Sequence, residues 1–166
     1  MNKFSDKQKG PSIILNSGSV ANINLSNTNK YGKYDLRYVV GIGNLSYTAL
    51  TDTCERLAIK NNRKIAGVKM PWHLDEQTKM VTIRASGKQR PPVMDTDKRV
   101  IPANSIKDGD FAKINVTPCY YEMKDTGSYI LPDGTRQVHT EVNKGITLFL
   151  NGVLLLSGQG TEEELF

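Results

Sequence analysis

Turn chemistry interrupts this chain too often for long helices or a doubly wound sheet. Asn151-Gly152 lies between two apolar runs, residues 145–150 and 153–156. Asn-Gly is the strongest short hairpin signal, because both residues tolerate positive φ. Pro132-Asp133-Gly134 marks a second hairpin, between residues 128–131 and 136–140. Lys107-Asp108-Gly109-Asp110 is a turn that launches a strand over 111–117, and Pro118 then ends central pairing or places its segment at an edge. A turn is also expected near Ser17-Gly18-Ser19, within a strand or hairpin at 12–25. Residues 87–90 form a basic turn leading into Pro91-Pro92, which breaks regular structure.

Between these breaks the apolar residues alternate. Leu36, Tyr38 and Val40 share one face of a strand, with Asp35, Arg37 and Val39 on the other. Val81, Ile83 and Ala85 point inward from the next, with Thr82, Arg84 and Ser86 outward. In the third, Ala112, Ile114 and Val116 oppose Phe111, Lys113, Asn115 and Thr117. Helical spacing holds only over 44–61, where Tyr47, Leu50, Cys54, Leu57 and Ala58 recur behind Ser46 as the expected N-cap. Residues 63–79 keep no period. Many short strands and one helix predict a mainly β fold, an OB-fold-like antiparallel β-barrel with one helix and long loops. It is expected to occupy residues 12–158, between a flexible N-terminal arm (1–11) and an acidic C-terminal tail (159–166).

Charge is distributed unevenly. The chain carries 22 Lys and Arg against 17 Asp and Glu, and no Lys or Arg follows Lys144. Setting aside Glu162, Glu163 and Glu164 leaves 22 against 14, a body of +8 with a tip of −3. A basic body invites a polyanion, nucleic acid first. No apolar run approaches the ~20 residues of a membrane span, and the polar residues 1–10 do not read as a secretory signal. Cys54 and Cys119 are expected as free thiols in a reducing cytoplasm.

The outward positions Arg37, Arg84, Phe111, Lys113 and Phe149 alternate basic with aromatic residues, and the basic turn adds Lys88 and Arg90. Loops contribute Tyr31, Trp72, Tyr120, Tyr121, Tyr129 and Arg136. Single-stranded nucleic acid needs this mixture, since cations follow phosphates while aromatic faces accept unpaired bases. A duplex reader would call for a recognition helix, and the helix here carries few basic residues. Trp72 has an equal reading as a loop-pinning residue, and Tyr34 and Tyr38 read as core.

Catalytic constellations are thin. Asp95 with Asp97, or Asp108 with Asp110, supply the paired carboxylates of a small metal-dependent nuclease, the alternative function. Both pairs sit in turns, where Asp bonds its own backbone. A structural or adaptor protein with purely core aromatics is a third class. His73 and His139 lack neighbours at metal-ligand spacing, so no metal and no cofactor are expected. Gly41-Ile42-Gly43-Asn44-Leu45-Ser46 follows a strand like a dinucleotide loop, but Ser46 replaces the third glycine and no acid follows about 20 residues on.

Three stretches carry a family likeness: Arg90-Pro91-Pro92-Val93-Met94-Asp95, Ile106-Lys107-Asp108-Gly109-Asp110, and the run from Asn143-Lys144-Gly145 to Asn151-Gly152-Val153. Together they resemble bacteriophage single-stranded-DNA-binding proteins with an OB-fold core. The resemblance implies stoichiometric coating of unpaired DNA in replication and recombination, without catalysis, in the cytoplasm of a bacterial host. The tip, Glu162, Glu163, Glu164, Leu165 and Phe166, looks like the tails by which such binders recruit replication or recombination proteins or compete with DNA. A tip of this kind can also dock on a neighbouring subunit, which admits a homodimer.

Overall fold

In the computed structural model, which describes residues 8–157, the alternating segments become strands of one continuous sheet. In chain order the elements are β1 (Ile13–Asn24), β2 (Tyr34–Gly41), α1 (Leu45–Asn62), β3 (Val68–Lys69), β4 (Trp72–Asp75), β5 (Met80–Gly87), β6 (Val93–Met94), β7 (Phe111–Ile130) and β8 (Arg136–Ser157). Antiparallel pairing links β5 to β2, β2 to β1, β1 to β7 and β7 to β8. A parallel contact, Ser86 opposite Phe149, then joins β8 to β5 and closes the five strands into a ring. The fold is mainly β and OB-like. The expected antiparallel ladders hold, with one parallel contact at this seam, because strand direction cannot alternate all the way around a ring of odd number. Short β3 and β6 also lie parallel on β8.

The inward positions fill the ring as the alternation predicted. Leu36, Tyr38 and Val40, Val81, Ile83 and Ala85, and Ala112, Ile114 and Val116 are all buried. α1 packs on β1, β7 and β8 through its buried stripe of Leu50, Cys54, Leu57 and Ala58. Its N-cap is Asn44 rather than Ser46: Asn44 Oδ1 accepts from the Tyr47 N–H at 3.0 Å, and Ser46 Oγ donates to that same oxygen. The glycine loop before it is therefore turn and cap chemistry.

Two expected turns are bulges instead. β1 runs straight through Ser17-Gly18, where Ser17 adopts φ 65° and the register slips between Leu15 and Gly18. β8 runs through Asn151-Gly152: Gly152 opposes Asn115 and Leu150 opposes Val116, leaving Asn151 as the extra residue. Leu148, Leu150 and Val153 all belong to one core, so reversing the chain at Asn151 would strip one side of its burial. The Pro132-Asp133-Gly134 hairpin does form, with Asp133 Oδ1 accepting from the Thr135 N–H and Gly134 at φ 87°. It ends a ribbon in which β7 and β8 stay paired well past the barrel, out to Ile130 opposite Arg136. No alternation betrayed this ribbon, because most of its side chains face solvent on both faces.

The acidic tip, Glu162 to Glu164 with Leu165 and Phe166, lies outside the described residues, as do residues 1–7 of the expected arm. The arm's described end is annealed to β7: the Tyr120 N–H donates to Gln8 O and the Gly10 N–H to Pro118 O. That strip covers Cys119. Both thiols are fully buried, and burial pushes Cys54 up to about 12 and Cys119 to about 11. A raised thiol pKa favours the folded state below the ordinary thiol range, and that contribution drains away as pH climbs towards these values. A thiol reagent at pH 8 is accordingly expected to modify neither cysteine until the chain is unfolded; stoichiometric labelling of native protein would contradict the packing.

Candidate nucleic-acid interface

The outer side of the β2–β5 seam is where the basic residues meet. Arg37 and Arg84 are direct cross-strand partners, both outward and exposed, because Leu36, Tyr38, Ile83 and Ala85 take the inward positions on either side. Beside them the loop before β2 folds into a tight turn. Asn29 N–H donates to Lys33 O, Gly32 N–H to Asn29 O, and Gly32 sits at φ 75°. The turn presents Tyr31, 74% exposed, and Lys33 to the same side. Lys30 Nζ lies 5.1 Å from the Tyr31 ring centre, so the ring already accepts a cation.

Residues 63–79, which showed no period, form the opposite wall. Their two short strands borrow partners from the ring: β3 on β8, and β4 on β5. The Arg84 N–H donates to Pro71 O at 2.9 Å, fixing the crossing between them. This delivers Lys69, Met70, Trp72 and His73 to the groove. Trp72 both pins its segment and lines the groove. Its ring meets Tyr47 of α1 edge-on at 5.7 Å, and it stays half-buried with part of its surface in the groove. Tyr121 completes the wall, its phenol crossing the backbone at Gly145 where a β-carbon would overlap it.

Two adjoining recesses share Arg37, Lys69, Met70 and Arg84 and so make one open groove. Elsewhere the exposed cations Arg56, Lys79 and Arg99 have carboxylate partners. Among the described residues no carboxylate pairs with Lys33, Arg37, Lys69 or Arg84. The groove thus combines an excess of positive charge with three aromatic rings, which suits a flexible polyanion whose bases are unpaired.

Of the residues expected from the sequence, Tyr31, Arg37, Trp72, Arg84 and Tyr121 line this groove. Phe149 is half-buried on the outer side of β8 opposite Ser86, at the groove's margin, and Lys88 is exposed just beyond the end of β5. The rest stand elsewhere. Tyr120 is 2% exposed and belongs to the core, because its even position on β7 faces inward with Val116. Arg90 holds the chain after β1: Nε donates to Leu25 O, Nη2 to Ser26 O, and the guanidinium lies 5.3 Å from the Tyr34 ring centre. Phe111 and Lys113 are outward, but β1 lies between them and β2, so the five-residue outer set is two separate groups. Tyr129 and Arg136 lie near the tip of the ribbon, where Tyr129 donates to Gln137. Lys33, Lys69, Met70 and His73 were not assigned from the sequence, although basic residues beside Tyr31 and Trp72 were the signal for them.

One aspartate of each pair that a nuclease would use is occupied in its turn. Asp95 Oδ1 accepts from the Asp97 and Arg99 N–H groups, and Asp110 Oδ2 from the Lys107 N–H at 2.8 Å. Among the described residues no group of three potential metal ligands occurs.

No family model matches the chain, and comparison with curated proteins finds no match. Solved structures do share its fold. It is similar to the single-stranded DNA-binding protein from bacteriophage Enc34, with a TM-score of 0.63 at 17% identity over 92% of this chain and 87% of that one. The Enc34 protein in complex with ssDNA gives 0.62 at 14% identity, over 92% and 97%. The gp2.5 single-stranded DNA binding protein of bacteriophage T7 gives 0.56 at 12%, over 90% and 87%. The resemblance read from the sequence is therefore borne out as one of fold.

Proposed function

We propose that this chain is a sequence-tolerant single-stranded-DNA-binding protein that coats unpaired DNA during phage replication or recombination, without catalysis or cofactor, in the bacterial host's cytoplasm. The groove carries the reading, with Arg37 and Arg84 paired across strands and Tyr31, Trp72 and Tyr121 around them. Cations at this spacing follow a phosphate chain, and each ring offers a face to any base, worth ~1–3 kcal/mol per stack. The likeness to phage proteins described as single-stranded-DNA binders, one of them solved with ssDNA, supports the same reading. α1 gives no ground for duplex reading: it carries two basic residues, Arg56, paired with Asp52, and Lys60 in its last turn, and its apolar stripe is spent on the barrel. Among the described residues no helix is long and apolar enough to cross a membrane.

The acidic tip, Glu162, Glu163, Glu164, Leu165 and Phe166, is proposed to recruit replication or recombination proteins and to compete with DNA for the basic body, with a homodimer as one way of docking it.

Titration with single-stranded DNA, duplex DNA and RNA of equal length at two salt concentrations tests the reading. Tight binding to the single strand is expected, with log affinity falling against log salt at a slope of about −2.8 if four phosphates are neutralised. Equal preference for duplex, or affinity indifferent to salt, would sink it. In the same series, a chain ending before Thr161 is expected to bind as tightly as the full chain or more so.

A further inference from the structure

One carboxylate lines this otherwise cationic groove. Asp35, on β2, lies among Lys33, Arg37 and Arg84. On charge alone its removal should tighten the hold on a polyanion. Its bonding argues the reverse. Oδ1 accepts from Asn24 Nδ2 at 2.7 Å and Oδ2 from Asn29 Nδ2 at 2.9 Å. The other side of the Asn29 amide then gathers two backbone donors, the Tyr31 N–H at 2.8 Å and the Lys33 N–H at 3.1 Å. The amide has only one workable orientation, since a carboxylate faces its nitrogen and two N–H groups face its oxygen.

We propose that Asp35 is a positioning residue for nucleic-acid binding: through Asn29 it pre-orders the turn that holds Tyr31 and Lys33 at the groove mouth. The inference rests on the reading of the groove as a single-strand site. A turn ordered before binding spares the complex the entropy of ordering it afterwards, which improves affinity without adding a contact. Asp35 itself then touches no DNA, and both its oxygens are turned to asparagine amides rather than to phosphate.

The test uses the full-length protein and a deoxythymidine oligonucleotide. Asp35→Ala and Asn29→Ala, the second leaving the groove's charge unchanged, are each expected to weaken binding about tenfold while the melting temperature moves little. In a Tyr31→Ala, Lys33→Ala background, adding Asp35→Ala should cost nothing further, because the groups it positions are gone. Amide hydrogen exchange at Tyr31 and Lys33 reads the turn with no DNA present, and about tenfold faster exchange is expected in both single variants. Binding by folded Asp35→Ala as tight as wild type or tighter overturns the proposal. So does unchanged exchange, or a full loss persisting in the double-alanine background. Wild-type protein that ignores the oligonucleotide would fail the groove's reading instead, with the exchange result still deciding whether Asp35 orders the turn.

Discussion

Replacing Arg37 and Arg84 together with alanine is expected to lower affinity for single-stranded DNA about a hundredfold at moderate salt, roughly tenfold for each charge-assisted contact. The slope of log affinity against log salt should become shallower by about 1.4, the share of two phosphates. Folding offers a built-in control. The two guanidinium groups oppose each other across an antiparallel pair with no carboxylate between them, and like charges so placed destabilise a sheet. The double variant should therefore melt no lower than wild type. Fluorescence titration at three salt concentrations with a thermal melt checks both halves; retained affinity in a folded variant would move the binding site off this seam.

The second large effect lies in the barrel's interior. Tyr38 is fully buried, yet its hydroxyl is central to a polar knot. It accepts from the Gly18 N–H at 2.9 Å and lies 3.0 Å from Leu15 O and 2.5 Å from Ala112 O, its one proton serving a carbonyl. All three backbone groups flank the β1 bulge, where the register slips between Leu15 and Gly18. Burial raises the phenol to about 12, against the lowering effect of the Gly18 N–H. Tyr38→Phe removes the hydroxyl and leaves the bulge's donor and acceptors buried, a loss of about 2 kcal/mol and a melting temperature lower by ~4–8 °C. Gly18→Ala should cost as much or more, because a β-carbon there would overlap the Tyr38 ring. The raised pKa means that the folded form holds its proton longer. Tyr38's contribution is thus complete below about pH 10 and lost as pH rises towards 12. Denaturant melts of both variants check the magnitudes; a Tyr38→Phe protein as stable as wild type would show that water replaces the hydroxyl at no cost.

Period-two patterns made β2, β5 and the first half of β7 legible, and with them Arg37 and Arg84. There a buried face imposes alternation, so exposure of the intervening residues follows. Where burial is absent or supplied from afar, the pattern fails. The β7–β8 ribbon beyond Tyr121 is solvated on both faces, and β3 and β4 exist because β8 and β5 offer them edges. Local chemistry misled in one direction only. Ser17-Gly18 and Asn151-Gly152 carry turn signals, and each is a bulge that bends a strand whose flanks share a core. Tyr120 and Arg90 show the limit of residue type as a guide to role: one aromatic faces inward by parity, and one arginine has its donors on carbonyls. Lys69 and His73 reach the groove only through the path of the chain after α1, which no spacing encodes.

The ring's seams differ greatly in the length of chain they enclose. β7 and β8 are joined by five residues, so that seam can zip outward from its own turn within ~1–10 μs. The parallel seam at Ser86 and Phe149 must wait for everything between them to be gathered in, and closing so long a loop is entropically late. Ser86 and Thr147, on the two strands of that last seam, both line the groove. On the proposed function, the wall that Thr147 adds to the groove is thus the part acquired last, after the Arg37–Arg84 ladder has formed.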